Sequence, residues 1–256
     1  MSYWLSELAV AGDNFNVEYL KINPKGTVPS LVVRSESNTL TDSRDILDYL
    51  DQVSASSRVS SLTPFDAAAR VTMDAIIELV HSNDADTNLI LLQARDLEEY
   101  QEKQSGPFGA YIAVRQTVLE GNHATYPEYT LYGSKAKENG VFHKIYTTGP
   151  GIERDAFFES TRNGYRKFSR AMDRLESLLV LPYAVGDDIT RADLNAIPWL
   201  AHAMAGVGTK EIKDLSKLQA HVQKTVPGFA IGPKTQRWWY NYTERDSFKE
   251  VFPVLH

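Results

Sequence analysis

The chain has 256 residues, 43% of them apolar and 23% charged, and a net charge of −6. That is the make-up of a folded globular protein, long enough for one large or two modest domains, and it sets disordered and fibrous classes aside. A mildly acidic balance argues against a nucleic-acid or anionic-membrane surface, and the absence of cysteine excludes disulfides, thiolate metal sites and a protein-borne thiol nucleophile.

The opening MSYWLSELAVAGDNF carries Glu7 and Asp13 and has neither a basic start nor a long apolar core. It does not read as a targeting peptide, and no window has the apolar length of a membrane span, so a cytoplasmic location is expected. Tyr3–Val10 reads as a strand and Val17–Lys21 as a short helix. VPSLVVR and NTLT, parted by the polar SESN, form a hairpin pattern. In TDSRDILDYLDQ, Ile46, Leu47 and Leu50 stand at helical spacing behind a Thr/Asp/Ser start, which puts Asp42 and Ser43 in a helix's first turn.

The serine-rich stretch 53–63 reads as a linker. Beyond it the pattern is helical. Thr63 is the expected N-cap, with Pro64 at the first helical position and Asp66 three residues after the cap. A stripe through Met73, Ile76, Ile77 and Val80 follows, and HSNDADTN then predicts a bend or an exposed inner wall. Gly106 to Arg154 reads as two helices with connecting loops, rich in aromatics. Phe158, Tyr165, Phe168, Met172, Leu175 and Leu179 mark one face of a further amphipathic helix. The division by pattern is therefore an α/β part, 1–52, a linker, 53–63, and an all-helical part, 64–256.

Three features carry chemistry only in combination: N-P-x-G-x-V-P-x-L at Asn23–Leu31, then the hairpin, then Asp42 and Ser43 at a helix start, all ahead of a helical remainder. Far downstream, GDDITRADL fits a G-x-x-[IL]-[ST]-x-A-D pattern in which Thr190 and Asp193 close a capping box. On these residues the chain resembles the cytosolic glutathione transferase superfamily, and its fungal members in particular, over almost its whole length. The resemblance implies a thioredoxin-like N-terminal domain packed on an all-helical C-terminal domain.

The resemblance also implies a ligand, glutathione as co-substrate. Val28–Pro29 would be a cis peptide whose backbone pairs with the cysteinyl part, as one more strand. Asp42 and Ser43 would hold the γ-glutamyl group at the helix start, and Lys25 would lie near the glycyl carboxylate. Taken by themselves, Asp42 and Ser43 are equally a helix cap. His81, Asn83 and Asp84 would overlook a second-substrate pocket for a hydrophobic electrophile, or mark a solvated kink. Phe108, Tyr111, Tyr126, Tyr129 and Tyr132 would wall that pocket or form core.

The family's first strand, first helix and the turn bearing its catalytic Tyr, Ser or Cys find no counterpart, since SYWLSELAV aligns with the second strand. A truncated domain is expected, and no catalytic residue is assigned. The implied reaction is conjugation, or a related elimination or isomerisation, in detoxification or secondary metabolism, by a homodimer. The alternative is a non-catalytic interaction or regulatory protein of the same fold. The six histidines show no metal-ligand spacing, so no metal is expected. Arg162, Arg166, Arg170 and Arg174 recur every four residues, with Glu159, Asp173 and Glu176 near enough to neutralise them as a nucleic-acid surface.

Overall fold

The computed structural model describes residues 13–55, 61–148, 151 and 154–252. In chain order these hold a 3-10 turn at Asp13–Phe15, helix α1 (Val17–Ile22), strands β1 (Leu31–Val33) and β2 (Asn38–Leu40), and helix α2 (Ser43–Ala55). Then come α3 (Ala67–Val80), α4 (Asn88–Leu92), α5 (Leu97–Ser105), α6 (Pro107–Thr125), α7 (Thr130–Thr148) and α8 (Arg154–Leu178). The chain continues through α9 (Arg191–Gly206), α10 (Ser216–Gln223), α11 (Pro233–Thr243) and α12 (Asp246–Val251). A small hairpin with helices, followed by a helical remainder, is the α/β plus all-α class expected. The strand expected at Tyr3–Val10 lies outside the described residues.

By contact the chain forms two compact units, neither of them one continuous stretch. Met1–Ser57 groups with Leu97–Arg154, and Arg58–Asp96 with Asp155–His256. The bounds 1–52, 53–63 and 64–256 follow a change in pattern and are a different division from this one.

In the first unit β1 and β2 pair antiparallel, Leu31 opposite Leu40 and Val33 opposite Asn38. A single 3-10 turn at Arg34–Glu36 reverses the chain and ends at Ser37, whose φ of 51° closes the loop in the left-handed region. Asn16 starts α1 by accepting the Glu18 N–H at 2.8 Å. Phe15 and Leu20 bury against Leu119 of α6 and Tyr132 of α7, and the Tyr132 hydroxyl donates to the Phe15 carbonyl at 2.6 Å. Of the aromatic series, Tyr132 is core, while Phe108, Tyr111 and Tyr129 are half-buried and Tyr126 is exposed. Tyr126 and Tyr129 flank Tyr132 with ring centroids 6.4 and 6.1 Å away, and Phe108 stands edge-on to Tyr146 at 5.7 Å.

In the second unit the predicted stripes face inward, with Met73, Ile76, Ile77 and Val80 of α3 meeting Tyr165, Phe168, Met172 and Leu175 of α8 in one core. Two expectations are corrected. The cap of α3 is Asp66, whose carboxylate accepts the Ala69 N–H at 2.7 Å, so the helix begins at Ala67 and leaves Thr63 and Pro64 outside it. An Asp directly ahead of an alanine run satisfies a first-turn N–H better than a cap three residues further back. The polar stretch after Val80 is also a break and not a bend. The Ser82 hydroxyl donates to the Leu79 carbonyl at 2.7 Å, and Asp86 accepts the Asn88 N–H at 2.9 Å, which is how short polar side chains take backbone groups away from a helix.

The predicted box at α9 is present, and it is wholly buried. Asp193 accepts the Thr190 N–H at 2.8 Å and its hydroxyl at 3.0 Å, and also receives the Ala184 N–H at 2.7 Å and the Trp238 indole N–H at 2.9 Å. Of the basic stripe on α8, Arg162 and Arg166 both pair with Glu159, at 2.8 and 2.9 Å. Glu176 is occupied elsewhere, accepting the Lys234 and Thr235 N–H groups at the start of α11, at 2.9 and 2.8 Å.

Candidate functional site

The site is built on the segment from Asn23 to Ser43 in the first unit. Asn23 and Pro24 close α1, and Gly26, with φ at 59°, turns the chain where a side chain would collide with Leu131. The Val28–Pro29 peptide is cis. Val28 is 47% exposed, and its backbone N–H and C=O have no hydrogen-bond partner among the described residues. Two main-chain groups are thus left open just ahead of β1, beside an exposed side chain. An extended peptide could take up both as a strand partner would.

Asp42 and Ser43 stand at the start of α2. The Asp42 carboxylate accepts the Arg44 N–H at 2.9 Å and lies 3.6 Å from the Arg44 guanidinium. The Arg44 N–H is the main reason its carboxyl is held below the usual carboxylate range, and burial opposes the shift. Asp42 is therefore an ionised N-cap. Ser43 is the first residue of α2, partly exposed, with its side chain unpaired among the described residues. Lys25 is exposed, and its backbone N–H rests on the Asn23 side-chain oxygen at 3.0 Å.

Residues 3–53 match the family model for the glutathione S-transferase N-terminal domain. This part of the chain is thus similar to a glutathione S-transferase N-terminal domain, and the matched segment includes Lys25, Val28, Pro29, Asp42 and Ser43. Neither a curated protein nor a solved structure matches the chain.

Two of the three weaker candidates have partners in the second unit. His81 bonds Asn195 at 2.8 Å, Asp84 pairs with Lys167 at 2.9 Å, and Asn83 is exposed. Since the Asn195 amide N–H is given to the Arg191 carbonyl at 2.8 Å, its oxygen faces His81, and the His81 Nε2 carries the proton. Among the described residues no group of three or more His, Asp or Glu could hold a metal ion, and no helix is long and apolar enough to cross a membrane.

Sequence patterns missed the residues beneath the site. Tyr19, Asn23 and Ser30 converge on the Thr27–Ser30 turn. Their one sequence signal is the Asn-Pro pair that announces a turn.

Proposed function

We propose that the chain binds glutathione at the Val28 backbone and uses its thiol in a conjugation, or a related elimination or isomerisation, on a hydrophobic electrophile. In this reading the Val28 N–H and C=O pair with the cysteinyl residue, and Asp42 faces the γ-glutamyl ammonium. Ser43 takes the neighbouring carboxylate, and Lys25 the glycyl carboxylate. The peptide brings its own nucleophile. Attack forms a carbon–sulfur bond, expels the electrophile's leaving group with its electron pair and releases the thiol proton to water. We extend the proposal to a cytoplasmic homodimer in detoxification or fungal secondary metabolism, and to His81, Asn83 and Asp84 as second-substrate contacts.

One observation carries the reading: the open backbone of Val28 lies inside the segment that matches the transferase N-terminal domain. A second reading, a non-catalytic module of the same fold, is favoured by the Asp42 carboxylate, which already caps α2. Retention on immobilised glutathione, with elution by the free tripeptide, tests binding. Turnover of a chlorodinitrobenzene electrophile, followed by absorbance, tests catalysis. Retention with turnover supports the first reading, retention alone supports the second, and no retention refutes both ligand assignments.

A further inference from the structure

The turn that presents Val28 is held by a closed circuit of side-chain hydrogen bonds, and chemistry settles its direction. The Tyr19 hydroxyl contacts both the Thr27 carbonyl and the Ser30 Oγ, the latter at 2.8 Å. A carbonyl only accepts, so the single Tyr19 proton goes to Thr27 and the bond to Ser30 is donated by Ser30. Ser30 in turn accepts from the Asn23 amide at 3.1 Å. That amide also reaches the Thr27 carbonyl at 2.7 Å and its hydroxyl at 3.0 Å.

The remaining polar atoms of Asn23 are used as well. Its side-chain oxygen accepts the Lys25 N–H at 3.0 Å, its N–H goes to Tyr19 at 2.9 Å, and its carbonyl takes the Gly26 N–H at 2.9 Å. Asn23 is fully buried, and losing its amide would take a partner from Thr27, Ser30 and Lys25 at once. Ser30, with its only proton spent on Tyr19, has none to offer a thiolate.

We propose that Tyr19, Asn23 and Ser30 are positioning residues that set the Val28 backbone in the one shape an extended tripeptide can pair with. This rests on the glutathione reading. If the circuit is cut, the competent shape is populated only in part, and the apparent dissociation constant rises by the inverse of that fraction.

The test is calorimetric titration of the full chain with glutathione, alongside amide hydrogen exchange at Gly26, whose N–H the turn holds on the Asn23 carbonyl. Asn23→Ala is expected to weaken binding about tenfold and Tyr19→Phe about threefold, while Ser30→Thr, which keeps the hydroxyl, stays within about twofold. Exchange at Gly26 should quicken in the first two and not in the third. Tyr19→Phe deletes one oxygen and keeps the ring, so it serves if Asn23→Ala does not fold. The two losses should combine less than additively, because both donors meet at the Thr27 carbonyl. Wild-type binding with a folded Tyr19→Phe chain that matches it in affinity and in Gly26 exchange overturns the proposal alone. A wild-type chain that takes up no glutathione refutes the functional reading, and this proposal with it.

Discussion

Replacing Asp193 by alanine should be among the most damaging single changes in the second unit. The carboxylate is fully buried and receives four donors, the Ala184 and Thr190 N–H groups, the Thr190 hydroxyl and the Trp238 indole N–H. The hydroxyl can turn away, but the three N–H groups are fixed by helix, loop and ring. Each orphaned buried donor costs roughly 1–3 kcal/mol, offset by relief from holding a charge out of water. A net loss of about 4 kcal/mol follows, which for a protein of this size lowers Tm by about 10 °C.

Asp193→Asn is the informative control. One oxygen can keep the Ala184 and Trp238 donors, while the new NH2 faces the Thr190 N–H, so about 1–2 kcal/mol is lost. Urea unfolding followed by tryptophan fluorescence reads this unit, since Trp199, Trp238 and Trp239 are all part of its core. An alanine variant within about 1 kcal/mol of wild type, or an asparagine variant less stable than the alanine one, would refute the reasoning.

Two further outcomes are expected. Gly26→Ala puts a side chain at φ 59° with its Cβ 2.9 Å from Leu131 and 3.3 Å from the Asn14 carbonyl; scanning calorimetry should find the first unit destabilised by about 2 kcal/mol, and an unchanged melting profile would contradict this. Burial pushes the His202 imidazole below its ordinary 6.5, against the pull of Asp86. The unfolded chain then takes up the proton first, so His202 contributes its full stability above about pH 6.5 and loses it as the pH falls below that. Urea midpoints between pH 5 and 8 should fall on the acid side, and His202→Gln should flatten the slope; a slope that the substitution leaves unaltered would show that other groups carry it.

The candidate site was legible where its geometry depends on local chemistry. Pro29, Gly26 and the Asp42–Ser43 pair announce a turn, a backbone reversal and a helix start by residue type alone, and the structure has all three. The circuit under Val28 was not legible, because Tyr19 and Ser30 meet through a turn whose closure no periodicity encodes. Asp66 displaced Thr63 as the α3 cap for a similar reason: both residues in TPFD can cap, and only the path of the chain into the helix chooses between them.

The amino-acid sequence by itself determined the hairpin, the amphipathic faces of α3 and α8, and the Thr190–Asp193 box, since each is set by interactions within a few residues or by a strict apolar period. Tertiary structure decided what those elements serve. It brought Ala184 and Trp238 onto Asp193 and grouped α5, α6 and α7 with the N-terminal segment by contact. Such outcomes turn on which buried donor finds which acceptor, and that is settled only when distant segments compete for the same few polar atoms out of reach of water.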